Sequence, residues 1–315
     1  MKPLKIIFMG TPEMAVPSLK TLLASDHRVV GVVSQPDKPV GRSQELISPP
    51  VAHLAKEHGL PLFQPERIKG NVEFLKNLQD LNPDLIVVVA YGKILPPEVL
   101  NLPPYKCINL HFSLLPQYRG AAPVQWALIN GEEETGVTTF ILADKVDAGP
   151  ILMQKKALIE PEDNAETLGR RLSHMGAQVL VETVDEISSG DLKAIPQEDR
   201  SATFAPPLKK EDGRLDWSQK ASVLVFQIRG MNPWPGTFTT LDKKLFKIHR
   251  AQTASEKKLP QSPGEVVGIH SEGLEIACGR GSLLLAEVQL EGKKRMNTTA
   301  FLAGYPLRTG QKLGE

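Results

Sequence analysis

The chain has 315 residues, 41% of them hydrophobic and 23% charged, with a net charge of +1. That length holds two domains with a core each, and the composition excludes a disordered chain, while no apolar run approaches the length of a bilayer span. Two cysteines, Cys107 and Cys278, supply neither a disulfide framework nor a metal-ligand spacing, so a reduced, cytoplasmic setting without a metal is expected.

Met1 to Gly10 is charged and then briefly apolar, too short for a signal-peptide core, and reads as a first strand over Ile6 to Met9. Helical spacing over Val16 to Ala24 and a β-branched run over Val29 to Val33 make a β-α-β opening, that of a parallel sheet with helices on its faces. No Gly-x-Gly-x-x-Gly follows the first strand, so a dinucleotide site of the usual kind is not expected. Ser34 to Pro50, broken by Pro36, Pro39, Gly41, Pro49 and Pro50, reads as a long loop of the functional or mobile sort. Helices are expected over Val51 to His58 and Val72 to Leu81, with a short strand over Leu62 to Gln64 between them. Leu85 to Ala90 is the most continuous β-branched run and fits a central strand buried on both faces. A strand over Lys106 to Leu110, a helix over Val124 to Asn130, a strand over Val137 to Leu142 and a long amphipathic helix over Ala165 to Ser188 complete the first domain.

The stretch Asn109 to Gly120 carries chemistry. Alternate residues of a strand share a face, which sets the Asn109 amide beside the His111 imidazole ahead of a turn at Ser113 to Pro116. An amide and an imidazole that close can serve one substrate atom, the amide as hydrogen-bond donor and the imidazole as proton carrier. In open α/β sheets ligands bind beyond the carboxyl ends of the strands. Asn109 and His111, Tyr91-Gly92 after the central strand, and the loop Ala143 to Pro150 all read as lying at such ends and are expected to converge on one crevice. That loop offers two carboxylates, Asp144 and Asp147, and both have the ordinary alternative of capping local backbone.

Asn109-x-His111-x-Ser113-Leu114-Leu115-Pro116-x-Tyr118-Arg119-Gly120 resembles the signature of the formyltransferases that use 10-formyltetrahydrofolate. The match continues through Pro123 and Trp126 to Thr135-Gly136-Val137-Thr138 and Asp147-Ala148-Gly149, and the chain as a whole is similar to the members that formylate initiator methionyl-tRNA. The resemblance implies 10-formyltetrahydrofolate as co-substrate, initiator methionyl-tRNA as acceptor, and Asn109, His111 and Asp147 as catalytic residues. It selects Asp147 over Asp144 because the family's aspartate precedes x-Gly. It implies a folate-binding turn at Ser113, Leu114, Leu115 and Pro116, a folate-side loop at Tyr91 and Gly92, and a tRNA-contacting arginine at Arg42 in the long loop. Whether His111 is a base toward the amine or a donor to the oxyanion stays open.

The rest of the chain reads differently. Residues from Lys209 onward carry 17 Lys and Arg against 11 Asp and Glu, a net of +6, and the remainder is net −5. Ala205-Pro206-Pro207-Leu208 is extended and stiff. Beyond it, a helix over Ser222 to Arg229 precedes five strand-like runs: Thr237 to Leu241, Leu245 to Ala251, Gly264 to Ile269, Gly273 to Ala277 and Ser282 to Leu290. A brief helix over Thr299 to Leu302 follows. The expected architecture is therefore α/β: a Rossmann-like, mostly parallel sheet in a catalytic domain over 1–196, a linker over 197–208, and a small OB-like β-barrel over 209–315. The basic cluster Lys293-Lys294-Arg295 suits a polyanion, here the tRNA. A monomer is expected. The competing readings are another folate formyltransferase or hydrolase, with a glycinamide ribonucleotide, an amino sugar or water as acceptor, and a nucleic-acid-binding module on an inert α/β scaffold.

Overall fold

A computed structural model of the chain describes residues 2–40, 45–190 and 192–314. The chain falls into two compact units, the first made of Met1–Pro123, Glu134–Leu158 and Gly169–Ala205, the second of Val124–Glu133, Ile159–Leu168 and Pro206–Glu315. Up to Ala205 the elements are β1 (Lys5–Gly10), α1 (Val16–Leu23), β2 (Arg28–Val33), β3 (Lys38–Val40), β4 (Glu45–Ile47), α2 (Pro50–Glu57), β5 (Leu62–Phe63), α3 (Val72–Asp80), β6 (Leu85–Val89), α4 (Pro97–Leu100), β7 (Cys107–His111), β8 (Arg119–Gly120), α5 (Pro123–Ile129), β9 (Glu134–Ile141), β10 (Ile151–Leu158), α6 (Ala165–Ser189) and β11 (Phe204–Ala205).

The main sheet of the first unit runs β10-β9-β7-β6-β1-β2-β5. From β5 to β7 every pairing is parallel, and β9 and β10 join antiparallel. β6 is apolar and buried at every position, as a strand covered on both faces requires. Helix starts follow local chemistry: α1, α2 and α4 have proline in their first turn, Asn71 caps α3, and Asn164 Oδ1 accepts the N–H groups of Glu166 and Thr167 to cap α6. α6 approaches β7 closely at Gly176, where a Cβ would stand 2.8 Å from Leu110 Cδ2.

Three features depart from the sequence reading. The long loop contains the antiparallel pair β3–β4. Strand β10 has no counterpart among the expected elements; it is an edge strand with Gln154, Lys155 and Lys156 at its middle, so it lacks the apolar run that marks a buried strand. The segment expected as a linker includes β11, which pairs in parallel with β8 through Phe204↔Arg119 and Ala205↔Gly120.

In the second unit α7 (Ala221–Gly230) precedes β12 (Thr237–Leu241), β13 (Lys244–Ser255), β14 (Val266–His270), β15 (Gly273–Ala277), β16 (Ser282–Leu290), β17 (Met296–Asn297) and α8 (Thr298–Gly304). These strands are antiparallel in the order β12-β13-β16-β15-β14, with β17 on β16. The gap between the edge strands is spanned by the last residues: Val266 N–H donates to Gln311 O, Leu313 N–H to Gly264 O and Gly314 N–H to Thr240 O. A small barrel results, closed by backbone that is not itself a regular strand. Leu224, Phe246, Ile276, Leu285 and Phe301 are among the residues that fill it. On its surface Arg295 donates to both oxygens of Glu287, Nε at 2.8 Å and a terminal nitrogen at 2.6 Å, and that guanidinium holds the Glu287 carboxyl below its ordinary value of 4.5.

Two outcomes are expected. Gly176→Ala gains about 1 kcal/mol of helix propensity and asks only that the Leu110 tip move, so it should be close to neutral. Gly176→Leu overpacks the α6–β7 contact and should lose about 1–2 kcal/mol in urea unfolding; an unchanged midpoint would show that α6 does not press on β7. For Glu287 the folded carboxyl value lies below the unfolded one, so the pair's contribution is present above the ordinary carboxyl range and is lost as pH falls through the folded value. Arg295→Ala should therefore cost stability at neutral pH and progressively less in acid, as read by thermal midpoints across a pH series.

Candidate active site

Asn109 and His111 occupy alternate positions of β7 and line one cavity of ≈ 520 Å³ in the first unit. Tyr91, Gly92 and Asp147 line it too. Its walls are largely apolar, with Ile94, Leu95, Leu100, Leu142 and Val146 among them, and its size is that of a small-molecule site. Five of the residues singled out from the sequence thus meet around one space. The Asn109 side chain is half-buried and has no hydrogen-bond partner among the described residues.

The His111 ring is buried and sits edge-on to Phe140 at 6.4 Å. Its Nε2 lies 2.9 Å from the Tyr118 carbonyl oxygen. A carbonyl only accepts, so Nε2 carries the proton and Nδ1 of the neutral ring presents a lone pair. Nδ1 faces Asp147 Oδ2 at 3.8 Å. That same Oδ2 accepts the Gly120 N–H at 2.8 Å. The neutral ring therefore offers an acceptor beside a carboxylate, and a proton taken at Nδ1 produces a cation next to an anion. Donation from Nδ1 to an oxyanion requires the protonated ring.

Asp147 reaches this place by a route the sequence reading did not foresee. β9 runs antiparallel to β7, with Ile141 opposite Ile108, and Leu142 N–H donates to Cys107 O. The loop thus leaves β9 beside the amino end of β7, not at a strand end shared with His111. It returns along the strand until Asp147, in the left-handed region at φ +49, stands beside the ring. Asp144 also lines the cavity, but Asp147 is the carboxylate at the imidazole.

Ser113, Leu114, Leu115 and Pro116 are not among the residues lining this cavity. They form a tightly bonded turn: Ser113 Oγ donates to Gln117 O (2.6 Å), Thr138 Oγ1 donates to Ser113 O (2.6 Å), Leu115 N–H donates to Thr138 Oγ1 (3.2 Å), and Gln154 Nε2 donates to Leu115 O (2.8 Å). Sequence reasoning missed Thr138 and Gln154 as supports of this turn, and Gln197 and Thr203 as supports of Tyr118 to Gly120. Thr138 had a signal in the Thr-Gly-Val-Thr match; Gln154, Gln197 and Thr203 had none.

Burial pushes the Tyr91 phenol up to about 12 and leaves its hydroxyl without a partner among the described residues; it stays protonated at neutral pH. Burial likewise pushes the Cys107 thiol up to about 12, which removes it as a nucleophile. Among the described residues no three His, Cys, Asp or Glu side chains are placed to hold a metal ion, and no helix is long and apolar enough to cross a membrane.

The residues expected at tRNA are distributed unevenly. Arg42 lies outside the described residues. Lys293 and Lys294 are exposed on the turn between β16 and β17. Arg295 is engaged by Glu287.

The chain matches the family model described as formyl transferase over residues 4–184 and that described as formyl transferase, C-terminal domain, over residues 207–306. The methionyl-tRNA formyltransferase of Citrifermentans bemidjiense is 48% identical over 315 residues, covering 100% of this chain and 98% of that protein. That of Caldanaerobacter subterraneus subsp. tengcongensis is 46% identical, covering 98% and 99%. Among solved structures, WlaRD, a sugar 3N-formyl transferase, shares the fold with a TM-score of 0.66 at 18% identity, covering 93% of this chain and 100% of that one. HypX from Aquifex aeolicus, in complex with tetrahydrofolic acid, does so with a TM-score of 0.63 at 17% identity; 99% of this chain spans 49% of that longer one. On near-full-length identity and on both family models, the chain belongs to the methionyl-tRNA formyltransferase family.

Proposed function

We propose that the protein transfers the formyl group of 10-formyltetrahydrofolate to the amino group of the methionyl moiety of initiator methionyl-tRNA, acting in the cytoplasm as a monomer. The observation that carries this is the Asn109 amide, without a hydrogen-bond partner among the described residues, sharing one apolar-walled cavity with His111 and Asp147. A flat heterocycle suits those apolar walls, and an amide without a partner suits a carbonyl oxygen that gains charge. When bound, the folate supplies an activated one-carbon unit.

The residues divide the work. Asn109 donates to the formyl oxygen as charge builds there; one such donor is typically worth about 3 kcal/mol of transition-state energy. His111 takes the amine's proton at Nδ1 as the new C–N bond forms and returns it to N10 of the folate as the bond between N10 and the formyl carbon breaks, with Nε2 held by Tyr118 O. Asp147 pairs with the ring once it is charged. Tyr91, Gly92 and the loop carrying Asp147 form the folate-side wall. The turn Ser113-Leu114-Leu115-Pro116 is assigned to the folate site as an indirect support, tied to Thr138 of β9 and Gln154 of β10. Residues 1–196 are assigned to catalysis and 209–315 to tRNA, with Arg42, Lys293 and Lys294 as phosphate contacts and Arg295 as a weaker one.

A transfer assay with purified protein, 10-formyltetrahydrofolate and charged initiator tRNA tests the whole reading. Formylation of a glycinamide ribonucleotide or an amino sugar in place of the tRNA would overturn it. Asn109→Ala and His111→Ala should each lower kcat on the order of a hundredfold or more, and Asp147→Asn by a similar factor. Turnover like the parent's in all three removes this site from the reaction.

The basic surface has its own test. Binding through phosphates weakens with salt, with a slope of about 0.7–0.9 per contact in log–log form. Lys293→Ala with Lys294→Ala should flatten the salt dependence of tRNA affinity by up to about two contacts, whereas Arg295→Ala, whose charge Glu287 already offsets, should change it less. Equal slopes in parent and double variant would place the tRNA elsewhere.

A further inference from the structure

The loop that brings Asp147 to His111 has little of its own to hold it there. Ala143 to Val146 are exposed, and the backbone bond from Ala148 N–H to Lys145 O is long at 3.3 Å. Besides the Gly120 N–H on the Asp147 carboxylate and the Ile141 N–H on Pro150 O at the end of the loop, what fastens it comes from the segment after the long helix. Gln197 Nε2 donates to Asp147 O at 2.9 Å and to Gly149 O at 2.7 Å, bridging the two carbonyls on either side of Ala148. Gln197 Oε1 accepts from Arg119 Nε at 3.1 Å and from a terminal nitrogen at 2.9 Å. A guanidinium has only donors, so the amide can face only one way, with its own N–H groups turned to the loop. The Arg119 side chain is buried, and its remaining terminal nitrogen donates to Asp199 Oδ1 at 2.9 Å.

We infer that Gln197, oriented by Arg119, is a positioning residue for Asp147: it fixes the main chain of the residue whose carboxylate Gly120 fixes from the other side. Arg119 and Gly120 are neighbours, so Asp147 is gripped at its carbonyl and at its carboxylate by one short stretch of chain, once directly and once through Gln197. Without Gln197 the loop keeps its sequence and its cavity lining but not the register that sets the carboxylate beside Nδ1. This inference rests on the catalytic reading of Asp147 given above.

The test is a double-mutant cycle on the full chain, read as formyl transfer to charged initiator tRNA under saturating folate. Gln197→Ala should lower kcat by about ten- to a hundredfold while KM for the tRNA changes by less than about threefold. In an Asp147→Asn background the same substitution should lower kcat by less than about threefold, because the group being positioned is already gone. Gln197→Glu keeps the length and both bonds from Arg119 but sets a carboxylate against two carbonyls; it should lose as much activity as Gln197→Ala, and it reads the proposal even if the alanine variant unfolds. A proportional loss in both backgrounds, or a Gln197→Glu enzyme as fast as the parent, overturns the positioning role and leaves the catalytic site intact. An Asp147→Asn enzyme as fast as the parent overturns the catalytic assignment and this inference with it.

Discussion

Two consecutive peptide groups, those joining Tyr118 to Arg119 and Arg119 to Gly120, set the geometry of the site. The Tyr118 carbonyl accepts a hydrogen bond from His111 Nε2, and the Gly120 N–H donates to the Asp147 carboxylate. Both are main-chain groups, so side-chain placement is inherited from the path of the backbone. That path is unusual: Tyr118 is left-handed at φ +59, uncommon for an aromatic residue, and Gly120 is at φ +126 with a would-be Cβ only 2.6 Å from Ala205 O. Only glycine fits there. The path is held by the segment beside it, in which Thr203 Oγ1 accepts the Tyr118 N–H, Thr203 O accepts the Arg119 N–H, and Ala205 O accepts the N–H groups of Ala121 and Ala122. The imidazole tautomer thus depends on a two-residue strand pairing that begins just past Tyr118 on one side and lies far along the chain on the other.

Much of this was legible in the sequence because it was written in side-chain pattern. β6 announces itself by five consecutive apolar residues, and β7 by an alternation that puts Asn109 and His111 on one face. α6 runs Ala165–Ser189, within a residue of the reading from amphipathic spacing. What stayed illegible was held by backbone. β11 is two residues long and pairs only through peptide groups, so it leaves no period to detect, and the prolines that follow it, Pro206 and Pro207, make the segment look like a linker. Gln197 is one amide in a polar stretch, and nothing nearby says what it touches. The route of the Asp147 loop follows from β9 being antiparallel, a matter of topology that neither the carboxylates nor their spacing encode.

The second unit repeats the lesson. Five strands were legible from alternation, as in β12, where Thr237, Thr239 and Leu241 point inward. The closure was not, because residues 311–314 bond to β14, to Gly264 just before it and to β12 through main-chain groups. Nor does a run of cations reveal its partners. Lys293, Lys294 and Arg295 are equivalent on paper, yet the fold sets Glu287 beneath the third and not the first two. A charge that is answered within the molecule has less to offer a polyanion.

The same principle explains how Asp147 keeps its charge available. The buried cation nearest in sequence to its Gly120 clamp is Arg119. Had that guanidinium met Asp147, the pair would have been a static salt bridge, and a new positive charge on His111 would have found its counter-ion already spent. Instead the Arg119 nitrogens are taken up by Gln197 and Asp199. The cation acts on Asp147 only through a neutral amide, which orders the loop without neutralising the carboxylate. Asp147 Oδ2 meets a peptide N–H, a partner that fixes its direction while leaving its formal charge unpaired until the ring is protonated. Position and charge are supplied by different groups, and the interposed glutamine is what keeps them separate.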